Sequence, residues 1–406
     1  ALDDRTHAVI TSVPGFKAGG LAAGIKESGA PDLAMVATVD GGPVTAAGVF
    51  THNLVAAAPV QISRQHLADG RAAAVILNSG NANAATGEQG RADALRMCEL
   101  TAEAVGCVMT DVLVCQTGLI GIPMPMDPVE SGIPELGAQL TADTAGGLAA
   151  AEAMMTTDTV AKTTQRSVAL PDGRATVGGM AKGAAMLAPA MATMLAVLVT
   201  DVAIAPAPLT RALQTAVSSS FNSLVVDACQ STNDTVLVLA NGAAGNEPIT
   251  GTTGFAYAGF VEALTAACAD LAHQMATDAE GATKCVTLHV RGARNDLEAQ
   301  LAARQVASSQ LVQCSLYGKD PYWGRIISEL GVSGAMFDPE QVTIAYDGVV
   351  VCEQGIAAPH DADSVAQAME ARDLIILCDL HTGNGEATML FTDLTHAYVD
   401  ENMGTS

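Results

Sequence analysis

Thr193 is the residue of this sequence whose surroundings best suit catalysis. It follows Ala192 and precedes a strongly apolar run, and a glycine-rich turn that contains Lys182 comes before both. If the peptide bond between Ala192 and Thr193 is cut, Thr193 carries a free α-amine beside its own hydroxyl. An α-amine has a pKa of about 7.7–8.0, so it can accept the hydroxyl proton near neutral pH. This pattern predicts an N-terminal threonine nucleophile with its own amine as the base.

The same threonine can cut the chain without a second protein. Its hydroxyl attacks the carbonyl of Ala192, and the ester formed by this N-to-O shift is then hydrolysed. However, a threonine that precedes an apolar strand is more often a buried hydroxyl bonded to a backbone carbonyl. The residues around Thr193, taken alone, leave that structural role open.

Hydrophobic periodicity predicts the elements that would position this threonine. Several apolar runs are nearly continuous in Val, Ile and Leu, as strands need to be when a sheet is covered on both faces. We therefore expect a mixed α/β fold of layered sheets and helices. Strands are predicted at residues 35–39, 60–63, 73–77, 112–115, 236–239, 286–290, 342–346 and 374–378. Helices are predicted, from apolar residues every three or four positions, at residues 91–105, 209–218, 261–275 and 296–306.

The length of 406 residues exceeds the usual size of a single hydrophobic core, so two domains are expected. A helix is predicted to end, and a strand to follow, within residues 278–283. We place the boundary there, with a main α/β domain over residues 1–280 and a smaller C-terminal domain over residues 281–406.

Composition excludes several classes of function. With 19 basic and 43 acidic side chains, the chain has a formal net charge of −24, which repels nucleic acids and anionic membrane surfaces. The nine cysteines are an odd number without close spacing, as expected of reduced thiols in the cytoplasm. The eight histidines form no metal-binding motif, so no metal site is expected. The first residues show no signal peptide, and no segment is expected to span a membrane.

Ten blocks of sequence, in order along nearly the whole chain, resemble those of the ornithine acetyltransferase family. The block that contains Thr193 is similar to the family's self-processing motif, whose usual form is close to KGxGMxxPxxATML. Ordered matches over the whole chain are far more specific than any single motif. The blocks are GFKAGGLAAGIKESG, AGVFTHNLVAAAPV, LNSGNANAATG, QTGLIG, MTTDT, GGMAKGAAMLAPAMATML, STNDTV, DAEGATK, DPYWGR and DLTHAYVDEN.

The resemblance implies a layered αββα-type sandwich with a second, smaller C-terminal α/β domain whose tail returns to the active site. It also implies a ping-pong reaction, in which N2-acetyl-L-ornithine gives its acetyl group to Thr193 and L-glutamate takes the group from the ester. This reaction belongs to the cyclic route to arginine and needs no metal or organic cofactor. Some family members also accept acetyl-CoA, and the sequence has no recognisable CoA signature to decide this. The α and β fragments are expected to remain together as an α2β2 assembly.

The resemblance assigns catalytic roles to several residues. Thr193, released from Ala192, matches the nucleophile. Thr117 and Gly118 match the pair that forms the oxyanion hole, for which a hydroxyl and a backbone N–H are suitable donors. Without the resemblance, this Thr-Gly pair would be an ordinary turn. Lys182 matches a lysine of the substrate site, where a cation can hold a carboxylate or an oxyanion, and a solvated loop lysine is the alternative.

Substrate contacts are implied at further positions. Thr156 matches one of them, and capping a helix is its alternative role. Glu280 matches a glutamate that meets the ammonium group of the amino-acid substrate, and a solvated acid at a helix end is the alternative for Glu280. Asn402 matches an asparagine of the C-terminal tail, which in the family precedes a Ser or Thr contact by about five residues. Here Ser406 lies four residues after Asn402, the usual aromatic residue between them is missing, and Thr405 or Ser406 would make the contact.

Several positions depart from the family pattern, and together they could alter the choice of substrate. Tyr322 stands where the family has asparagine in DPNWGR, Ala185 replaces a glycine, and Ala190 replaces a commonly polar residue. The block DACQSTND, which begins at Asp227, differs from the usual DGDTSTND.

Two other functions remain open. A related self-processed amidase or aminopeptidase would pass the acyl group to water instead of glutamate, and the altered DACQSTND block and Tyr322 keep this alternative. An uncleaved family member could serve as a binding protein, but the intact Thr193, Thr117, Gly118, Lys182 and Glu280 argue against that function.

Overall fold

The structure is a computed structural model, and it describes residues 8–171, 173–186 and 194–404. Single elements or short runs of strands alternate with single α-helices or short runs of helices through the described residues, which gives the mixed α/β content that the sequence predicts. The strands are β1 (Phe16–Leu21), β2 (Leu33–Thr38), β3 (Val44–Phe50), β4 (Arg71–Ala72), β5 (Ala74–Asn81), β6 (Val112–Leu119), β7 (Lys162–Leu170), β8 (Gly173–Lys182), β9 (Leu195–Thr200), β10 (Leu224–Val225), β11 (Thr235–Ala240), β12 (Cys285–Ala293), β13 (Thr343–Tyr346), β14 (Val349–Glu353), β15 (Ile356–Ala357), β16 (Asp373–Asp379) and β17 (Gly385–Thr392). The helices are α1 (Ala58–His66), α2 (Gly87–Val105), α3 (Met126–Gln139), α4 (Thr144–Ala153), α5 (Pro206–Ser218), α6 (Phe255–Thr277), α7 (Asp296–Ala307), α8 (Gln310–Tyr317), α9 (Trp323–Val332), α10 (Ala362–Glu370) and α11 (His396–Asn402).

The described residues divide into two compact units. The second unit is built mainly from the chain that begins at His273, and it also takes Asn222–Cys229 and the short stretch that begins at Ala184. The first unit contains the rest. The predicted boundary between residues 280 and 281 stays a prediction. Sequence periodicity gives no sign that two short stretches from the middle of the chain join the C-terminal unit.

The first unit contains two sheets. One has four strands in the order β1-β2-β5-β6, and all its pairs are antiparallel except β5/β6. The other has six strands in the order β4-β3-β11-β9-β8-β7, and all its pairs are antiparallel except β11/β9. Strand β6 of the first sheet and strand β8 of the second carry residues of the candidate site.

Hydrophobic cores fix the order of layers in the first unit. Between the two sheets lie buried side chains from both, such as Leu77 and Val197. Helices α1, α2 and α3 pack on the outer face of the four-stranded sheet. Helix α5 packs on β3, and α6 passes so close to β7 that a Cβ on Gly259 would lie 2.6 Å from the Ala169 carbonyl oxygen. This order of helices, sheet, sheet and helices is an αββα sandwich, and it confirms the predicted fold class.

The second unit is a smaller α/β unit with a seven-stranded mixed sheet, in the order β10-β17-β12-β16-β13-β14-β15. Apolar residues of α7, α8, α9 and α10 share one core with strand residues such as Leu288 and Ile376. Between these buried positions, side chains such as Ile375 point to the other face and stay exposed. This alternation with a period of two is typical of a sheet covered on one face.

One predicted strand is wrong. Residues 60–63 lie inside α1. A run of four residues is too short for its period to distinguish a helix from a strand. Pro59 lies in the first turn of α1, where its fixed φ and missing N–H suit a helix start. The other predicted strands and the four predicted helices each overlap an observed element of the same type.

Helix α6 is long and apolar enough to cross a membrane, judged by length and composition alone. The core helix of a soluble protein has the same properties. Phe260, Leu264 and Leu271 of α6 are fully buried, which a core helix explains. The expectation that the chain does not span a membrane stays a prediction.

Candidate active site

Thr117 and Gly118 lie near the end of β6, where this strand runs beside β5. Thr117 is 1% exposed, and the register pairs it with Ser79. Gly118 has a φ of +134°, and a Cβ at this position would lie 2.2 Å from the carbonyl carbon of Gly80. A side chain does not fit in that space, so glycine is required here. The alternative of an ordinary turn is wrong, because both residues belong to a strand.

Buried amide side chains hold the end of β6 in place. Gln116 Nε2 donates to Asn78 Oδ1 at 2.7 Å, and Asn83 Nδ2 donates to Gln116 Oε1 at 2.8 Å. Asn233 Nδ2 donates to the backbone carbonyl oxygen of Gln116 at 2.8 Å. Because Gln116 precedes Thr117 in the chain, these bonds fix the backbone that presents the threonine hydroxyl. The blocks LNSGNANAATG and STNDTV supply three of the four amides.

Lys182 lies at the end of β8 and is 3% exposed. Its Nζ lies 3.5 Å from Thr117 Oγ1 and 3.9 Å from Asp158 Oδ2. The ammonium group is therefore buried beside a hydroxyl and a carboxylate, and the alternative of a solvated loop lysine is wrong. A cation in such low-dielectric surroundings interacts strongly with any negative charge that develops near it.

Asp158 connects the polar groups of this site. Its Oδ1 accepts from Lys162 Nζ and from the Gly183 N–H, both at 2.7 Å, and its Oδ2 accepts from the Thr156 N–H at 3.1 Å. Burial raises the pKa of this carboxyl, but Lys182 and Lys162 outweigh burial and lower the pKa to about 2. The side chains of Asp158 and Lys162 have no exposed surface, so solvent ions screen their attraction little. Asp158 is thus a fixed negative charge between two lysines.

Thr156 lies in the loop between α4 and β7, and the next element after it is a strand. The alternative role of helix cap is therefore wrong. Its backbone is held by Asp158, through the same carboxylate oxygen that lies closest to Lys182. The structure thus groups Thr117, Gly118, Thr156 and Lys182 in the first unit.

Sequence reasoning missed two charged residues of this group, Asp158 and Lys26. Lys26 Nζ donates to the Met155 carbonyl oxygen at 2.7 Å, directly before Thr156. Burial lowers the pKa of Lys26, Asp32 opposes this effect, and Lys182 lowers the pKa further. The resemblance to the family could have indicated both residues, because the block MTTDT contains Asp158 and the block GFKAGGLAAGIKESG contains Lys26. Their charges, however, fit a solvated loop equally well until the fold is known.

Thr193 and Ala192, the predicted nucleophile and cleavage site, lie outside the described residues. Met194 is described, and it leads into β9. Its N–H donates to Asp234 Oδ1 at 3.0 Å, and its carbonyl oxygen accepts from the Thr235 N–H at 3.1 Å. The residue that follows Thr193 is therefore tied to the start of β11.

In the second unit, Glu280 and Asn402 are brought together across 122 positions of the chain. Asn402 Nδ2 donates to Glu280 Oε2 at 2.7 Å. Glu280 is 9% exposed, and its N–H donates to the Ala184 carbonyl oxygen at 2.9 Å. The alternative of a solvated acid at a helix end is therefore wrong.

The tail helix α11, which carries Asn402, is anchored at Gly281. Thr395 caps α11 by accepting from the Tyr398 N–H at 3.1 Å, and its hydroxyl donates to the Gly281 carbonyl oxygen at 2.7 Å. A Cβ on Gly281 would lie 2.3 Å from the Tyr398 nitrogen, so only glycine allows this approach. Ser406, the remaining predicted contact of the tail, lies outside the described residues.

All nine cysteines are free thiols, and six of them are buried. Among the described residues, His273, Cys285 and Asp373 form a cluster in which the possible metal-ligand atoms lie within 4.8 Å of one another. Burial, with Asp373 adding to it, raises the pKa of Cys285 to about 11. The expectation of no metal site stays a prediction.

The fold is an α/β sandwich, and its first unit buries a polar cluster of the kind found in enzyme active sites, with the Thr117 hydroxyl, Lys182 and Asp158 close together. The comparison with known proteins then gives the family. The chain matches the ArgJ family over residues 17–404, and it belongs to that family.

Individual relatives agree with this assignment. The arginine biosynthesis bifunctional protein ArgJ of Mycobacterium leprae is 45% identical over 409 aligned residues, which cover 98% of this chain and 95% of the relative. The crystal structure of ArgJ from Bacillus halodurans is 39% identical with a TM-score of 0.50, and the match covers 51% of this chain and 98% of that one. The crystal structure of ornithine acetyltransferase complexed with ornithine, from Mycobacterium tuberculosis, is 43% identical with a TM-score of 0.40, and covers 46% of this chain and 96% of that one. The resemblance to the ornithine acetyltransferases is confirmed.

Proposed function

We propose that this chain is a glutamate N-acetyltransferase that moves the acetyl group from N2-acetyl-L-ornithine to L-glutamate in arginine biosynthesis. The observation that carries the proposal is the match over nearly the whole chain to bifunctional proteins of arginine biosynthesis. The relative from Mycobacterium tuberculosis has ornithine in its crystal structure, which supports ornithine as the first product.

The reaction has two acyl-transfer steps at Thr193. In the first step, the threonine oxygen attacks the acetyl carbonyl, the amide C–N bond breaks, and ornithine leaves with the proton that the threonine α-amine took from the hydroxyl. In the second step, the α-amine of glutamate attacks the ester carbonyl, the ester C–O bond breaks, and the threonine oxygen recovers a proton. The ester carries the acetyl group between the two steps, so the proposal includes no metal and no organic cofactor.

Thr117, Gly118 and Lys182 are the groups that would stabilise charge in both steps. Each step passes through a tetrahedral oxyanion, and the Thr117 hydroxyl and the Gly118 N–H are suitable donors to it. Lys182, buried 3.5 Å from that hydroxyl, adds a positive charge in low-dielectric surroundings. Asp158 attracts this ammonium group and so restrains its position. The distance from Lys182 Nζ to Asp158 Oδ2 is 3.9 Å.

Glu280 and Asn402 are the proposed contacts to the amino-acid part of the substrate. Glu280 is an anion suited to the ammonium group of ornithine, and Asn402 fixes one of its carboxylate oxygens at 2.7 Å. Thr156 and Ser406 complete the proposed set of substrate contacts.

Self-cleavage between Ala192 and Thr193 is part of the proposal. A cut at this position divides the 406 residues into fragments of 192 and 214 residues, close to half each. The match to the solved chain from Bacillus halodurans covers 98% of that chain but only 51% of this one. The solved chain is therefore about half as long as this chain, which is the size of one such fragment. The two fragments, α and β, are proposed to stay associated.

An assembly of two α and two β fragments in the cytoplasm also belongs to the proposal. On the open face of its sheet, the second unit leaves Ile375 50% exposed, and Leu377 and Leu390 are partly exposed beside it. Apolar residues grouped in this way are commonly covered in an oligomer. Light scattering at working concentration tests the assembly, and the mass of one αβ pair would refute it.

A second acetyl donor is also proposed. The relatives are named bifunctional. We propose acetyl-CoA as the second donor, which would acetylate glutamate directly in place of N-acetylornithine. Release of free CoA thiol from acetyl-CoA in the presence of glutamate tests this activity. A rate no higher than that of the Thr193→Ala variant would exclude it.

The main experiment is incubation of the purified protein with N-acetylornithine, with and without glutamate. With glutamate, we expect equal amounts of ornithine and N-acetylglutamate over many turnovers. Without glutamate, we expect about one ornithine per active site, because the acetyl-enzyme then waits for its acceptor. Sustained ornithine release without glutamate would instead identify an amidase, and no release in either case would identify a binding protein.

Cleavage is tested on the same preparation. Sequencing of the C-terminal fragment should begin Thr-Met-Leu-Ala, since Thr193 is its first residue. Thr193→Ala should remain one uncut chain without transferase activity, because one hydroxyl serves both reactions. Thr193→Ser, which keeps a hydroxyl, is the matched control and should retain measurable cleavage. A wild-type chain that stays uncut after prolonged incubation would count against self-processing.

A further inference from the structure

Asp234 stands immediately before β11, in the block DACQSTND that departs from the family pattern. Its side chain is fully buried. Its Oδ1 accepts from the N–H of Met194, the residue that follows Thr193 in the chain, at 3.0 Å. The next residue, Thr235, donates its N–H to the Met194 carbonyl oxygen at 3.1 Å. Both backbone polar groups of Met194 are therefore held from the start of β11.

The second carboxyl oxygen of Asp234 has a different environment. Oδ2 is buried, and among the described residues no group, the Ser231 hydroxyl beside this carboxyl included, has the geometry of a hydrogen bond to it. A buried carboxylate oxygen is costly to leave without a hydrogen-bond donor. Burial raises the pKa of Asp234 well above its ordinary value, although the Met194 amide, Ser231 and Lys182 oppose the effect. Burial therefore favours the neutral acid.

We propose that Asp234 is a positioning residue for the nucleophile, which it holds through the backbone N–H of Met194 during both self-cleavage and acetyl transfer. This inference rests on the proposed function of Thr193. A peptide plane links Thr193 directly to Met194, so a shift of the Met194 amide moves the threonine and its α-amine together. A misplacement of about 1 Å at a reacting group can cost about 100-fold in rate.

A purely structural role is the alternative, since Asp234 also supports the pairing of β9 with β11. Asp201 provides a matched control for that role. It is buried, it follows β9 in the same six-stranded sheet, and its Oδ1 accepts a strand N–H, that of Thr176, at 2.6 Å. Asp201 therefore has the same kind of bond as Asp234, but its partner belongs to β8 rather than to the residue after Thr193.

The test compares Asp234→Ala, Asp234→Asn and Asp201→Ala in the full chain. Self-cleavage is followed from synthesis in a cell-free translation mixture, and kcat and KM are measured with N-acetylornithine and glutamate. Asp234→Ala should slow cleavage and lower kcat by about 100-fold each, with KM changed by less than about threefold. Asp234→Asn keeps an oxygen for the Met194 N–H in a neutral group, and it should restore both rates to within about tenfold of wild type. Asp201→Ala should lower the melting temperature without a comparable loss of either rate.

The outcomes separate this inference from the proposed function. A folded Asp234→Ala variant that cleaves and turns over at the wild-type rate would overturn the inference alone. Equal losses in Asp234→Ala and Asp201→Ala, in proportion to their melting temperatures, would assign Asp234 a structural role and overturn it as well. If Asp234→Ala does not fold, Asp234→Leu, which is closer in shape, replaces it with the same expected losses. Cleavage and transfer that persist in Thr193→Ala would instead refute the proposed function.

Discussion

Lys182 Nζ lies 3.5 Å from Thr117 Oγ1, although the two residues belong to different sheets and are 65 positions apart in the chain. Thr117 comes from β6 of the four-stranded sheet, and Lys182 comes from β8 of the six-stranded sheet. The pair therefore exists only because the two sheets of the sandwich pack face to face. Asp158 places a negative charge beside this pair, and its carboxylate forms ion pairs with both Lys162 and Lys182.

Replacing Lys182 by methionine should reduce acetyl transfer strongly. The substitution keeps the length of the side chain and removes the charge, so the oxyanion loses a buried cation worth about 1.5–3 kcal/mol. We expect kcat/KM to fall by about 10- to 100-fold, and self-cleavage to slow as well. Lys284→Met is the matched control, because Lys284 is also buried but donates to the Met369 and Ala371 carbonyl oxygens in the second unit. If the control loses as much activity as Lys182→Met, the effect is one of stability and not of charge at the site.

Replacing Glu280 by glutamine should weaken the use of N-acetylornithine at least about tenfold, since a charge-assisted hydrogen bond is lost. Self-cleavage should continue, because it involves no external substrate. Steady-state kinetics with each substrate and sequencing of the fragments measure the two effects. Glu329→Gln is the matched control, because Glu329 accepts from Gln305 and Ser309 within the second unit. Unchanged constants for both N-acetylornithine and glutamate in Glu280→Gln would show that the site assignment is wrong.

Replacing Gly118 by alanine should abolish measurable transfer and destabilise the fold. The new Cβ would lie 2.2 Å from the Gly80 carbonyl carbon at a φ of +134°, so strands β5 and β6 must separate at the proposed oxyanion hole. Gly106→Ala has a similar backbone cost, since Gly106 has a φ of +81°, but its Cβ would meet no atom within 4 Å. We expect about 1 kcal/mol of destabilisation and normal kinetics for the control. Normal transfer by Gly118→Ala would contradict the proposed role of this strand end.

The buried ion pair predicts a specific response to acid. The pKa of Asp158 is about 2, below its ordinary value of 3.8, so the ionised carboxylate stabilises the folded state. This contribution is fully present above pH 4 and is lost as the pH falls toward 2. It amounts to about 2 kcal/mol, from the difference between the two pKa values. Denaturant unfolding at a series of pH values should show wild type losing about that much more stability than Asp158→Asn between pH 6 and pH 2. Parallel pH profiles for the two proteins would show that Asp158 is not held in the ionised form.

The same pair should matter at neutral pH. Asp158→Asn removes the carboxylate charge from beside the buried Lys162 ammonium group, and we expect a loss of about 3–5 kcal/mol in the free energy of unfolding. Glu99→Gln, which breaks an exposed ion pair with Arg96, should cost less than about 1 kcal/mol. Equal losses in the two variants would contradict the conclusion that the Asp158–Lys162 ion pair is shielded from solvent.

Local sequence was enough to predict most elements, because strands such as β5, β11 and β16 are buried runs of branched apolar residues. It failed where the local pattern misleads. Strand β8 contains Gly178 and Gly179, and a glycine-rich run indicates a turn. The structure explains the glycine at position 178, because a Cβ there would lie 2.9 Å from a methyl group of Val13. The constraint comes from a residue 165 positions away, which periodicity does not detect.

By itself, the sequence determined the family, the threonine proposed as nucleophile and the type of most elements. These properties depend only on the order of residues along the chain, that is, on the sequence blocks that resemble the family and on the spacing of apolar residues. The tertiary structure decided that Lys182 is buried against Thr117, that Asp158 is the ionised partner of two lysines, and that Asp234 holds the residue after the nucleophile. Each of these contacts depends on how strands pair and sheets pack, and a charged residue in a loop has the same local pattern whether packing buries it or leaves it in water.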